Sequence, residues 1–331
     1  MTERASYPIY LGGNASAAPL PDDRSLESIR RGRFRRYWKN IKESWGIFTE
    51  DRIGLLGLGI IIFYALLAVI HPILMNTVWD PKVYDPFMGN DPLVISNPAP
   101  PSAMHLLGTD PMGRDVLSQL MFSTRNEFVL GFLAAIITVV LATSIGAVAA
   151  YFGGWPDALF MRLADLINIL PFIGLLVVLS AFIKMNLWVL AIVIGILSGF
   201  GGTTIIFKAQ ALTIKVKPYI ESAKVAGGSD WHVVFYHIVP NLMPLAFLNM
   251  MFTVTGAIFS EAALSFFGLL NVRMSWGIMI YTTQAAGYML RGLKYWYLIL
   301  PGGLSITLLC TAFYLIGRAL DSVVNPRLRQ R

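Results

Sequence analysis

The sequence predicts an all-α membrane protein with six transmembrane helices. Three observations carry that prediction. Hydrophobic residues make up 56% of the 331 and charged residues only 14%, with a mean hydropathy of +0.62, which is too apolar for a soluble domain. The apolar residues gather into runs of about 20 residues, the length that crosses a hydrocarbon core as a helix. The basic residues are shared unevenly among the loops. With six crossings, nineteen of the 26 Lys and Arg fall on one side, and the positive-inside rule makes that side cytoplasmic. Both termini are then expected in the cytoplasm.

In chain order, residues 1–29 are rich in Gly, Ala, Pro and Ser without periodicity and read as a disordered cytoplasmic tail. The first fifty residues hold no apolar core, so no signal peptide is expected. Residues 30–52 mix Arg30, Arg31, Arg33, Arg35 and Arg36 with Tyr37, Trp38 and Trp45. This is an interfacial pattern, with cations on anionic lipid head groups and aromatics at the boundary; a nucleic-acid-binding arm is the other reading. The first span covers 53–75. An extracytoplasmic segment, 76–127, follows, rich in Asp-Pro and Pro-Pro. A turn is expected in it from Gly108 to Gly113, and a helix from about Arg114 leads to the second span, 128–150. Arg114 and Asp115 would brace that helix. The third span, 159–183, contains Pro171 and should kink there. The fourth, 187–207, carries Gly195 and Gly199, a small-xxx-small pair that admits a close helix neighbour. A polar corner loop spans 211–241. The fifth span, 242–267, holds Pro244 and Glu261. A second outside segment, 268–294, precedes the last span, 295–316, and a basic cytoplasmic tail, 317–331.

The corner loop is the one stretch where folded polar backbone can meet a soluble partner. Pro218 suits the first turn of a helix, and Glu221 lies near the positive end of its dipole. Gly227 and Gly228 end that helix. Ser229 or Asp230 then caps a second short helix that stops before Pro240. Ser222, Ala223 and Ala226 are small enough to nest against a partner.

Other chemistry is excluded or left open. No G-x-x-x-x-G-K-[ST] run is present to cradle ATP phosphates. His71, His105, His232 and His237 lack the spacing of a zinc site. Cys310 is alone, so no intrachain disulfide forms. Glu261 and Asp165 are the intramembrane acids to weigh, as a proton or cation site or as groups satisfied near span ends. No helix shows the several facing acids of a relay. The residues alone leave two classes: a stand-alone carrier, or one part of a complex whose motor is another chain.

Four motifs resemble one family. Glu221-Ser222-Ala223, with Gly227 six residues after Glu221 and Pro240 nineteen after it, is similar to the E-A-A-x-x-x-G signature of permease subunits of ABC importers, with Ser222 for the first alanine. The run from Leu107 to Ser118 resembles the L-G-T-D-x-x-G-R-D-V-L-S run of the second permease of dipeptide, oligopeptide and nickel importers. The stretch from Leu264 to Leu269 with Ser275-Trp276-Gly277 resembles its L-S-F-L-G-L…S-W-G run. Asn325-Pro326-Arg327-Leu328-Arg329 resembles its D-P-R-L-R tail, with Asn325 for Asp. The resemblance covers about residues 40–331.

It implies a type I importer permease fold in a bacterial or archaeal cytoplasmic membrane, and a chain that is not itself an enzyme. The implied partners are a second homologous permease, two cytoplasmic ATPase subunits and an extracytoplasmic binding protein. ATP and Mg would sit on the ATPase subunits, no cofactor or metal would be bound by this chain, and no nucleic acid is expected. In that picture Glu221, Ser222, Ala223, Gly227, Ser229, Asp230, Trp231 and His232 form the ATPase-coupling element. Asn249, Met250, Met251 and Glu261 lie on the span expected to line the path. Peptides are the first expected substrate, with oligosaccharides and nickel as alternatives.

Overall fold

The structure, a computed structural model, describes residue 42 and residues 45–324, with side-chain detail to residue 321. The predicted tail 1–29, most of the basic stretch 30–52 and the tail motif 325–329 lie outside the described residues. The chain divides into two units, 1–47 and 48–331. In the first, residues 45–47 are helical. All the candidate crossings belong to the second.

Among the described residues the fold is helical, with one isolated bridge, Thr109 to Asp115, and no strand. The first helix, α1, runs Arg52–Thr77. A four-residue helix, α2, covers Pro81–Tyr84. The helix α3, Val116–Phe152, has 37 residues. It is followed by α4, Gly154–Ile169, α5, Phe172–Phe182, α6, Leu187–Phe200, and α7, Gly202–Lys215. The corner carries α8, Pro218–Val225, and α9, Asp230–His232. A π-helical stretch, Val233–Ile238, then joins α9 to α10, Val239–Phe266. Finally come α11, Trp276–Ala285, and α12, Trp296–Val324.

Four helical stretches are long and apolar enough to cross a membrane, and the pairs α4/α5 and α6/α7 pass the same test jointly, giving six crossings with each pair counted once. The organising element is α3. Asp115 caps its start by accepting from Ser118 N–H at 2.7 Å. Its core residues contribute to three hydrophobic clusters. Close approach is set by missing side chains. A Cβ on Gly195 would lie 2.6 Å from Ile137 Cβ, and one on Gly199 would lie 2.9 Å from Leu141 Cβ, so the predicted small pair is where α6 lies against α3.

Three expectations are corrected. Pro171 does not kink the third span; it breaks it, and α4 and α5 meet at 91°. Proline removes a helix donor and disfavours helical φ/ψ in the residue before it, and Leu170 is accordingly extended, with ψ 134°. The fourth span bends by 43° at Gly201. The second corner helix does not stop before Pro240. It widens to a π turn, in which Val239 N–H reaches back to Val234 O. That wider turn takes the chain past a proline that lacks a donor and whose ring would crowd the preceding turn. Within the segment 268–294 lies α11, with Trp276 fully buried.

Candidate functional site

The corner is built on the end of α3. Lys215, the last residue of α7, donates from Nζ to Ala150 O at 3.0 Å and Tyr151 O at 2.8 Å. These are orphan carbonyls at the negative end of the α3 dipole, where a cation is favoured. Tyr151 in turn donates its hydroxyl to Asp230 Oδ1 at 2.5 Å. Lys224 lies over the Tyr151 ring, 4.6 Å from its centroid. Trp231 packs at 5.3 Å on Phe152 and at 5.9 Å on Phe235. One tyrosine therefore ties α8 and α9 to α3.

The helix α8 is two-faced. Ile220 is 1% exposed and Ala223 packs beside it, both on the core formed by Phe207, Val233, Val234 and Ile238. On the opposite face Pro218, Glu221, Ser222, Val225 and Ala226 line an open groove. Their spacing of three, four, seven and eight residues puts them on one stripe of a helix. Val225 is 85% exposed, so an apolar side chain stands on this open face. Gly227 ends the helix with φ +85°, a value L side chains avoid, and open space surrounds it. Ser229 Oγ accepts from His232 N–H at 3.3 Å, so Ser229 is the cap and not Asp230.

The eight corner residues predicted from sequence are thus brought together, but in different roles. Glu221 and Ser222 face outward. Ala223 faces inward and supports α8 rather than offering a docking surface. Asp230 is turned onto Tyr151. Trp231 and His232 are exposed, and His232 stacks on Tyr236 at 4.7 Å. Tyr151, Lys215 and Lys224 carry no sequence signal that marks them as parts of this site.

The four predicted path residues part company. Asn249 lines an open cleft with Phe172, Ser198, Thr203, Thr253 and Gly256. The neighbouring cleft shares Phe172, Ser198 and Thr203 and adds Asn168, Gly201 and Gly202. Both clefts lie at the breaks of the two bent pairs, where irregular backbone is tolerated because it borders a cavity. Met250 and Met251 do not line it; they pack in hydrophobic clusters, the usual use of a flexible apolar side chain. Glu261 is fully buried and faces Glu127, so it lines no open path. Asp165 is exposed on α4.

The far end of α3 is closed upon itself. His105 bridges Asp115, Nδ1 to Oδ2 at 2.8 Å, and Asp91, Nε2 to Oδ2 at 3.3 Å, with all three residues buried. Arg114 donates from Nε to Asp110 Oδ2 at 2.7 Å, and Gln119 donates to the same oxygen at 2.9 Å. Burial pushes the Asp115 carboxyl up from its ordinary range, against the opposing pull of Ser118 and His105. Arg114 and Asp115 therefore act within the fold. Among the described residues no group of His, Cys, Asp and Glu is disposed to hold a metal ion.

Comparison with known proteins adds the following. Residues 142–330 match the family model described as binding-protein-dependent transport system inner membrane component. The chain is 36% identical over 238 residues to the oligopeptide transport system permease protein OppC of Lactococcus lactis subsp. cremoris, covering 70% of this chain and 79% of that one. It is 29% identical over 292 residues to the dipeptide transport system permease protein DppC of Bacillus subtilis, covering 87% and 86%. To DppC of Haemophilus influenzae it is 28% identical over 293 residues, covering 88% and 96%.

Proposed function

The chain belongs to the family of binding-protein-dependent transport system inner membrane components, and from that premise we propose that it is the permease subunit of an ATP-driven ABC importer of peptides. It forms half of a translocation path and takes its drive from ATPase subunits through the corner at 218–232. The observation that carries this reading is the division of labour in α8: one face is anchored through Ile220 and Ala223, and the other is left open as a groove beside Glu221, Ser222 and Val225. A helix held so firmly on one side, with an apolar residue standing free on the other, suits a docking element that transmits force.

The family membership supports the rest of the reading. The corner faces the cytoplasm, as do both termini, in a bacterial or archaeal cytoplasmic membrane. ATP and Mg are held by two soluble ATPase subunits, and this chain hydrolyses nothing. A second homologous permease completes the path, and an extracytoplasmic binding protein delivers substrate to the opposite end. Asn249, with Asn168, Ser198, Thr203 and Thr253, supplies small neutral polar groups along the cleft. Such groups can exchange hydrogen bonds with a moving peptide backbone without trapping a charge. Peptides are the substrate class borne by the relatives' own names; oligosaccharide or nickel import on the same architecture is the alternative.

Reconstitution tests it. Liposomes holding the assembled complex should take up labelled peptide only with ATP and the binding protein. Uptake by this chain alone under an ion gradient would replace the reading with a stand-alone secondary transporter.

A further inference from the structure

Two acids meet where the fold gives them no cation. Glu127 on α3 and Glu261 on α10 are both 0% exposed, and their carboxyl groups face each other. The approach is built in. A Cβ on Gly131 would lie 2.7 Å from Val254 Cγ1, so α3 and α10 touch one turn from Glu127 and two turns from Glu261. A Cβ on Gly277 would lie 2.6 Å from Ser265 Cβ and 2.8 Å from Ala262 O, so the start of α11 closes onto the same turn of α10. Trp276 seals the place by donating Nε1–H to Leu120 O at 3.1 Å.

The hydrogen bonds are incomplete in a telling way. Ser265 donates to Glu261 Oε1 at 2.6 Å, and Ser275 donates to Ser265 Oγ at 3.2 Å. Glu261 Oε2 and both oxygens of Glu127 are buried and make no hydrogen bond of normal length and angle among the described residues. No Lys, Arg or His among the described residues forms an ion pair with either acid. The other groups nearby are the Trp276 backbone N–H at the N-terminus of α11, the Cys310 thiol of α12, and the Tyr64 ring of α1, which lies against the Trp276 ring. Two buried carboxylates facing each other without a counter-charge repel strongly. A single proton changes the balance. It turns one acceptor into a donor, fills an orphaned oxygen on each residue, and leaves one negative charge for the α11 N-terminus and Ser265 to hold.

We propose that Glu127 and Glu261 form a proton-binding site that latches α3 to α10 and to the start of α11. The bound ligand is one proton, shared between the two carboxyl groups. While it is held, the interface is a hydrogen bond. When it leaves, the interface is a pair of buried like charges and is driven apart. The site lies off the polar cleft and away from the corner, so it stands or falls independently of both.

The test uses the full-length chain, purified and also in its assembled complex. Infrared spectra at neutral pH should show a protonated carboxylic-acid carbonyl band that is lost in Glu127→Gln and in Glu261→Gln. Each amide supplies the missing donor permanently, so both variants should fold. Wild-type thermal stability should fall from neutral to alkaline pH, and each variant should resist that fall by a few degrees, on the order of 2–4 °C. Superimposable pH profiles, or an acid carbonyl band unchanged by either substitution, would overturn the proposal. So would wild-type stability that depends on sodium rather than on pH, since the occupant would then be a metal cation. A variant that fails to fold is replaced by the double Gln variant read by the same band, which should be absent.

Discussion

The two ends of α3 show opposite ways of using polar residues. They lie about 55 Å apart along a 37-residue helix. At the N-terminal end, Asp91, His105, Asp110, Arg114, Asp115 and Gln119 spend their hydrogen bonds on one another, and all are buried. At the C-terminal end, Tyr151 and Lys215 hold α8 and α9 in place, yet Glu221, Ser222, Val225, Trp231 and His232 remain exposed. A network that satisfies itself has little left to offer a partner and serves as a brace. A helix anchored on one face only has a second face in reserve. Damage to the first end should therefore appear as lost stability, and damage to the second as lost transport in a folded protein.

The largest effect should come from Gly227→Asp. Its φ of +85° costs an L residue about 1–2 kcal/mol, but nothing lies within 4 Å for the side chain to strike. Thermal stability should fall by no more than that strain and insertion should persist, while ATP-driven uptake falls to background. Next, Asp115→Ala removes a helix cap and a buried partner of His105, and should lower stability by about 3 kcal/mol in thermal or denaturant unfolding. Asp115→Asn should cost less, because an amide oxygen can still cap Ser118 and burial already disfavours the charge. Uptake per folded molecule should change little in either. Tyr151→Phe should cost about 1 kcal/mol of stability yet reduce uptake out of proportion, because the Asp230 tether is lost. The smallest effect is expected for Ser229→Ala, at most about 1 kcal/mol in unfolding, with uptake only slightly reduced. If the Asp115 variants lost uptake while keeping stability, the contrast between the two ends would collapse.

Much of this was legible in the chain because it rests on local chemistry. Pro218, Gly227 and Ser229 start, stop and restart the corner helices through their own backbone preferences, and the positions of the apolar runs mark the spans. Gly195 and Gly199 announce close packing by their spacing alone. What depends on tertiary contact was hidden. Nothing near Tyr151 in sequence points to Asp230, 79 residues away. Pro171 and Pro240 signal a kink and a stop, but whether the chain breaks or widens past a proline depends on what packs around it. Glu127 sits at the edge of an apolar run and reads as a span boundary. One signal did exist: Glu127, Leu130, Gly131 and Ala134 share a helical face, and all four are buried. The cleft around Asn249 drew on four helices, and no single stretch shows it. For Ala223 the sequence does not choose a face of α8, because a small residue fits an inner seam as well as an outer groove.

The central claim is that the open face of α8 is where the driving subunit sits. It is tested most directly by replacing Cys310, the chain's one cysteine, with Ala, placing a single cysteine at Ser222 or Val225, and labelling with a membrane-impermeant maleimide. The account predicts labelling from the cytoplasmic side of the chain alone and protection of both positions once the ATPase subunits are bound. Labelling from the opposite side, or reactivity unchanged by assembly, would contradict it.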